Sequence, residues 1–151
     1  MTLDARIPPP VVELAAALLM WALARETPGL DLSIPFRIPV AILFASVGIA
    51  IALSGVVAFR RSRTTVNPLR PSNASALVTS GIYRFTRNPM YLGMLVVLAG
   101  WAVALANAAA FLVLPFFVAY LTAFQIRPEE RALEALFSEF PAYRDSVRRW
   151  I

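Results

Sequence analysis

The chain contains no cysteine and no histidine. Without cysteine it has no disulfide, no thiol nucleophile and no thiolate metal site, and without histidine it has no Ser-His-Asp triad, imidazole base or histidine-ligated zinc. We therefore expect no metal site. Any chemistry must use carboxylates, arginines, tyrosines, amides or a bound cofactor.

Lysine is absent too, so the net charge of +5 rests entirely on arginine. The segment from residue 125 onward balances five arginines with five acidic residues, and the excess lies in the loop of residues 60–88. That loop has no acidic residue beside Arg60, Arg61, Arg63, Arg70, Arg84 and Arg87. Next to a membrane span, such a cluster indicates topology and contact with anionic headgroups. We therefore expect membrane lipids, and no nucleic acid, as partners.

Charged residues are scarce at 15%, whereas hydrophobic residues make up 59% of the 151 residues. The mean hydropathy is +0.68. This composition is too apolar for an ordinary soluble domain and predicts an all-α integral membrane protein. Residues 1–151 form one domain with room for about four spanning helices of roughly 20 residues.

Four apolar runs predict these spans, at about residues 7–24, 38–59, 89–106 and 108–126. Asn107 alone separates the last two runs, which predicts an antiparallel hairpin with a very tight turn. The arginine bias places the 60–88 loop in the cytoplasm, and an even number of spans places both termini there as well. The source is expected to be a bacterial inner membrane.

The first run also admits a second interpretation, as a secretory signal with Ala22-Leu23-Ala24 as its cleavage site. Asp4 and Glu13 argue against it, because signal peptides are positively charged before the apolar stretch. A spanning helix is the favoured interpretation.

Two further patterns predict helix packing. Small residues recur at three- and four-residue steps along the second run, at Ala41, Ala45, Gly48, Ala52 and Gly55, which is typical of a face that a neighbouring helix approaches closely. In the tail of residues 127–151, four apolar residues at helical spacing indicate an amphipathic helix that lies on the membrane or caps the bundle: Leu133, Leu136, Phe137 and Phe140. The final Arg148-Arg149-Trp150 suits anchoring at the membrane interface.

Two polar clusters flank the predicted hairpin and share the cytoplasmic side. Around the start of the third run stand Tyr83, Arg87, Asn88 and Tyr91, where free helix amides offer hydrogen bonds to a polar ligand. The second cluster, Glu129 and Glu130, follows the fourth run after Arg127 and Pro128. A carboxylate so close to lipid requires a cation. The alternative is purely structural: tyrosines and Arg87 that anchor a helix, and glutamates that pair with nearby arginines.

The motifs in these clusters resemble a known family. Residues 77–83 read Leu-Val-Thr-Ser-Gly-Ile-Tyr, residues 87–93 read Arg-Asn-Pro-Met-Tyr-Leu-Gly, and the Glu pair is followed by Phe137 and Tyr143. This order resembles the isoprenylcysteine carboxyl methyltransferase family and its relatives, the membrane phospholipid methyltransferases, over about residues 65–150. One departure is Asn88, where the family pattern commonly has histidine.

The resemblance implies that S-adenosyl-L-methionine binds at the cytoplasmic face, between the loop, the last two helices and the tail. It implies that a lipophilic small molecule or lipidated substrate enters sideways from the bilayer. Arg127 and Glu129 are the implied catalytic residues, with Arg127 near the acceptor. The implied cofactor-binding residues are Leu77, Val78, Tyr83, Arg87, Asn88, Pro89, Met90, Tyr91, Glu129 and Glu130.

Elementary chemistry agrees with methyl transfer. A sulfonium donor is already activated, so the protein has mainly to align donor and acceptor and to exclude water, and no histidine is required. A carboxylate acceptor is ionised at neutral pH, whereas an amine must lose a proton. The missing histidine therefore favours carboxyl methylation, with phospholipid N-methylation as the alternative.

Two other classes of function remain open. A sterol-reductase-like oxidoreductase would bind a nicotinamide cofactor in a comparable place, although this chain is short for it and its tail is balanced in charge. A non-catalytic membrane scaffold would bind no small molecule at either cluster. The small-residue face of the second run fits packing within one bundle or between two copies, so the oligomeric state is open.

Overall fold

The structure, a computed structural model, describes residues 7–62 and 76–151. Asp4, Arg63 and Arg70, which entered the predictions above, lie outside these ranges. The regular elements of the described part are helices, as predicted. They are α1 Pro9–Glu26, α2 Arg37–Arg61, α3 Pro89–Leu105, α4 Ala108–Leu121, α5 Arg127–Leu136 and α6 Phe140–Ser146, with single 3₁₀ turns at Pro28–Leu30 and Gly81–Arg84.

Two helical stretches of the described ranges are long and apolar enough to cross a membrane. They are Arg37–Arg61 and Ala108–Leu136, of 25 and 29 residues. α3 is apolar but has 17 residues, and α1 carries Glu13, Arg25 and Glu26 within its 18 residues. Two of the four predicted spans therefore meet the requirements of length and composition, and for α1 and α3 the assignment stays a prediction.

α3 lies at the centre of the bundle and contacts α1, α2 and α4. Its contact with α2 is the most extensive and depends on glycine. A Cβ added at Gly93 would lie 2.5 Å from the carbonyl oxygen of Gly48, and one added at Gly48 would lie 2.6 Å from that of Gly93. Further along, Gly100 packs against Phe44 in the same way. The small-residue face predicted on α2 is therefore confirmed as a packing surface within the bundle.

The turn between α3 and α4 is held by Asn107. Ala106 adopts the left-handed conformation, with φ of 51°. The Oδ1 of Asn107 accepts the amide of Ala109 at 2.9 Å, while its Nδ2 donates to the carbonyl of Thr27 at 2.8 Å and to Asp31 at 2.9 Å. The predicted tight hairpin is confirmed, and this buried amide also ties it to the α1–α2 connection.

α4 and α5 form one continuous helix through a π turn at Thr122–Ile126. In that turn the amide of Arg127 donates to the carbonyl of Thr122, five residues earlier. The wider turn precedes Pro128, which has no amide hydrogen to continue an α-helical ladder. The helix consequently runs beyond residue 126, where the predicted span ends, and continues to Leu136.

The tail forms two helices where a single amphipathic helix was predicted. α5 is strongly amphipathic, but Phe137 is extended, with φ of −127° and ψ of 113°. α6 begins at Phe140, with Pro141 in its first turn. Proline removes a backbone donor and clashes with a preceding helical turn, so the chain breaks before it and restarts. The single-helix prediction is corrected to two helices for this reason.

Candidate active site

The start of α3 and the start of α5 meet at a pair of polar side chains. Pro89 occupies the first turn of α3, where its missing amide hydrogen costs nothing. The hydroxyl of Tyr91, one turn into this helix, donates a short hydrogen bond to Oε1 of Glu129. Tyr91 is only 6% exposed. The two predicted clusters are therefore in direct contact.

Glu130 lies in a different environment, where its carboxylate binds two arginines. Its Oε1 accepts from Arg87 at 2.9 Å and its Oε2 accepts from Arg149 at 2.7 Å. The side chains of Arg87 and Glu130 are 9% and 13% exposed. We call these three residues the Glu130 clamp. Such a shielded ion pair is strongly destabilised when one partner is removed, because a buried charge is then left alone.

The clamp fastens the segment after α6 across the start of α3. The guanidinium of Arg87 donates to the carbonyl of Arg144 at 2.5 Å. The backbone amide of Arg87 donates to the carbonyl of Arg148 at 3.0 Å. The side-chain amide of Asn88 donates to the carbonyl of Arg149 at 2.9 Å. The side chains of Arg87 and Asn88 therefore hold the protein's own backbone. Asparagine at residue 88 supplies a hydrogen-bond donor, which an imidazole could also provide.

Two tyrosines extend the contact between the loop and α6. The hydroxyl of Tyr143 donates to the carbonyl of Tyr83 at 2.7 Å, and the ring of Tyr83 meets that of Phe59 edge-on at 5.3 Å. Burial raises the pKa of Tyr143 to about 12. Burial also raises the pKa of Tyr83, with smaller contributions from Tyr143 and Glu129. Both side chains are therefore neutral phenols at physiological pH.

Glu129 differs from Glu130 in its ion pairs. Among the ion pairs between described residues, Glu130 takes two arginines and Glu129 takes none. Neighbouring positions of a helix point about 100° apart, so the two carboxylates face different surroundings. A shielded carboxylate without a cation is costly. The arrangement suits a ligand that brings a positive group to Glu129.

Comparison with protein families identifies the family of this chain. The family model for phospholipid methyltransferase matches residues 36–139. The chain belongs to the phospholipid methyltransferase family. This confirms the resemblance seen in the motifs and extends it toward α2. Membership implies a methyltransferase that acts at a membrane.

Sequence comparison also shows similarity to a bacterial protein. An uncharacterized protein of Haemophilus influenzae is 40% identical over 63 residues, which cover 41% of this chain and 100% of that protein. No solved structure matches this chain.

Four further residues are implied by the family motifs. Val78 is buried and Leu77 is half-buried. Pro89 and Met90 face Gly55 of α2. The contact of these four residues with a cofactor stays a prediction.

Arg127 does not join the pair. Its side chain is exposed, and it lies two positions before Glu129, which is about 200° around the helix. The structure therefore places Arg127 and Glu129 on different faces of α5. A role for Arg127 at the acceptor end stays a prediction that requires the acceptor to reach that outer face.

The family motifs do not indicate two further residues of the site, Arg149 and Gln125. Arg149 belongs to the clamp. Its neighbour Trp150 lies outside the clamp and donates to Thr122 at 3.2 Å, and anchoring of the Arg-Arg-Trp segment at the membrane interface stays a prediction. The equal numbers of arginines and acids in the tail were a signal for such pairing. Gln125, which is fully buried one turn before Glu129, had no signal beyond being a polar residue in an apolar run.

Proposed function

We propose that this protein is an integral membrane methyltransferase that uses S-adenosyl-L-methionine to methylate a lipophilic acceptor. The observation that carries the proposal is Glu129, a half-buried glutamate that is hydrogen-bonded to Tyr91 and has no arginine partner among the described residues. The amino group of the methyl donor provides the missing positive charge. Family membership supports the reaction class.

The residues present fit this donor. When bound, S-adenosyl-L-methionine supplies a methyl group on a sulfonium, which an acceptor displaces in line without prior activation. Glu129 would hold the amino group, and the rings of Tyr83 and Tyr91 would supply a cation–π attraction to the sulfonium of about 0.5–2 kcal/mol. Both tyrosines are buried, so water is kept from the reacting atoms. The Glu130 clamp holds the wall of the site in place.

A cleft beside the 3₁₀ turn gives the acceptor a route from the bilayer. It measures about 480 Å³ and lies between the end of α2 and the turn, with Val57, Ala58 and Ile82 as apolar lining and Arg61 at its rim. An acyl or prenyl chain suits the apolar wall, and a phosphate or carboxylate suits the arginine. Tyr83 follows Ile82 directly, so this route leads toward the proposed donor site.

For the acceptor we place an aminophospholipid first, because the matching family is that of phospholipid methyltransferases. Its nitrogen loses a proton to interfacial water and then forms the new N–C bond as the S–C bond breaks. A prenylated carboxylate is the second candidate, since it needs no base and the chain has no histidine. We further propose that α1, α2, α3 and α4 all span a bacterial inner membrane, with this site on the cytoplasmic side.

Calorimetric titration of the detergent-purified protein with S-adenosyl-L-methionine tests the proposal. We expect micromolar binding by the wild type and a loss of at least about 30-fold in Glu129→Gln, the value of one charge-assisted contact of about 2 kcal/mol or more. The matched control is Glu134→Gln, an exposed glutamate of the same helix that pairs with Arg144, and it should bind normally.

The other outcomes separate the rival functions. If the protein binds a nicotinamide cofactor and not S-adenosyl-L-methionine, a reductase becomes the favoured function. If the folded protein binds neither cofactor, the non-catalytic scaffold becomes the favoured function. Once binding is established, transfer of labelled methyl to phosphatidylethanolamine or to a prenylated cysteine identifies the acceptor class.

A further inference from the structure

Gln125 is a buried polar residue with an unused acceptor. It is 0% exposed and lies among the apolar side chains of the bundle. Its Nε2 donates to the carbonyl of Ile7 at 2.6 Å, which fixes the orientation of the amide. Its Oε1 is buried and has no hydrogen-bond partner among the residues that the structure describes. A buried acceptor without a partner lowers the free energy of unfolding, and a functional role is one explanation for keeping it.

The backbone around Gln125 is unusual as well. The residue lies in the π turn Thr122–Ile126, which interrupts the long helix from α4 to α5. Single π turns inside α-helices are frequent at functional sites, because they change the direction in which the following side chains point. This turn immediately precedes the segment that carries Glu129 and Glu130. It therefore sets the orientation of the proposed binding carboxylate.

Gln125 and Glu129 share one side of this helix. They are four residues apart, and side chains at that spacing are neighbours on a helix surface. Glu129 accepts from Tyr91 and has no cation among the described residues. A primary ammonium has three N–H donors that point in divergent directions, so a single carboxylate cannot accept from all three. A neutral oxygen one turn away suits the remaining donor.

We propose that Gln125 is a further ligand-binding residue, whose Oε1 accepts a hydrogen bond from the ammonium group that Glu129 neutralises. This inference rests on the proposed function, and it adds that the pocket recognises a primary ammonium through a charged and a neutral oxygen together. Gln125 contacts the ligand at a group remote from the transferred methyl, so it contributes to affinity and selectivity.

The test compares two probes by calorimetry, in detergent free of amine-headgroup lipids so that the methyl donor is the source of ammonium. The first probe is S-adenosyl-L-methionine, and the second is 5′-methylthioadenosine, which lacks the amino-acid portion. The variant is Gln125→Met, which keeps the length of the side chain and removes its acceptor. The matched control is Trp150→Phe, which breaks the hydrogen bond to Thr122 in the same π turn.

We expect Gln125→Met to bind S-adenosyl-L-methionine at least about tenfold more weakly, as for loss of one charge-assisted hydrogen bond. Its affinity for 5′-methylthioadenosine should equal that of the wild type. Trp150→Phe should bind both probes as the wild type does. If Gln125→Met does not fold, Gln125→Asn keeps the amide but withdraws it by one methylene, and the same selective loss is expected.

Three results would overturn the inference. Wild-type affinity of the Gln125 variants for S-adenosyl-L-methionine would show that the Oε1 of Gln125 does not contact this ligand. Equal weakening for both probes would show a contact with the adenosine portion or a general effect on the fold. Failure of the folded wild type to bind S-adenosyl-L-methionine would remove the proposed function and this inference together, whereas the first two results leave the proposed function intact.

Discussion

Glu129 and Glu130 are neighbours in sequence and have opposite surroundings. Glu130 is neutralised by Arg87 and Arg149, whereas Glu129 accepts from a tyrosine and has no arginine partner among the described residues. A helical step of about 100° is enough to direct one side chain to the clamp and the other to the bundle interior. We therefore propose a positioning role for Glu130 and a ligand-binding role for Glu129.

The first prediction concerns the stability that the clamp provides. Glu130→Gln leaves Arg87, which is 9% exposed, without its carboxylate, and we expect it to lower the free energy of unfolding by about 3 kcal/mol. Glu134→Gln breaks the exposed pair with Arg144 and should cost less than about 1 kcal/mol. Thermal unfolding in detergent measures both changes.

The clamp variant also carries a kinetic expectation. Because Glu130 is proposed to hold the wall of the site, Glu130→Gln should raise the KM for S-adenosyl-L-methionine more than it lowers kcat. Arg149→Lys retains the charge but not the two-point contact, so its KM for S-adenosyl-L-methionine should lie between those of Glu130→Gln and the wild type. A Glu130→Gln protein as stable as the wild type would contradict the prediction that the Glu130 clamp stabilises the fold.

At the scale of elements, the contact between α2 and α3 decides where Tyr91 lies. Two glycines let these helix backbones touch, and Gly93 is two residues beyond Tyr91 in the same helix. Close packing of small residues is a main source of helix association in membranes, where lipid provides no hydrophobic drive. The position of the tyrosine toward Glu129 therefore depends on a glycine that contacts no ligand.

The second prediction follows from that contact. Gly93→Ala places a Cβ 2.5 Å from the carbonyl oxygen of Gly48, so the helices must separate. We expect a loss of about 1–3 kcal/mol in stability, as for overpacking, together with weaker binding of S-adenosyl-L-methionine. The control is Gly29→Ala, where a Cβ meets nothing within 4 Å. Equal melting temperatures for the two variants would show that α2 and α3 do not pack in this way.

At the scale of the whole molecule, each end of the bundle carries its own group of hydrogen-bonded polar residues. One end holds the Glu130 clamp and the Tyr91–Glu129 pair. The other holds Asn107, which ties the α3–α4 turn to Thr27 and Asp31. If the helices cross a membrane, these ends lie on opposite sides of it, and the arginine-rich loop predicts a cytoplasmic location for the clamp end.

The third prediction tests that orientation, and the absence of cysteine makes it direct. In intact cells, Gly29→Cys, at the Asn107 end, should react with a membrane-impermeant maleimide. Ser138→Cys, which is exposed at the clamp end, should react only after permeabilisation. The reverse labelling pattern would invert the topology, and labelling of both positions in intact cells would rule out spans between them.

The sequence by itself determined the helical class, the small-residue face of α2, the α3–α4 hairpin and the family, because hydropathy, residue size and short motifs are local properties. Only the tertiary structure decided that Glu130 binds Arg87 and Arg149, that Glu129 meets Tyr91, and that Gln125 keeps an unused acceptor. These pairings join residues up to 43 positions apart and depend on the rotation of α5 by the π turn. A linear pattern contains no information on that rotation, which only the packed helices fix.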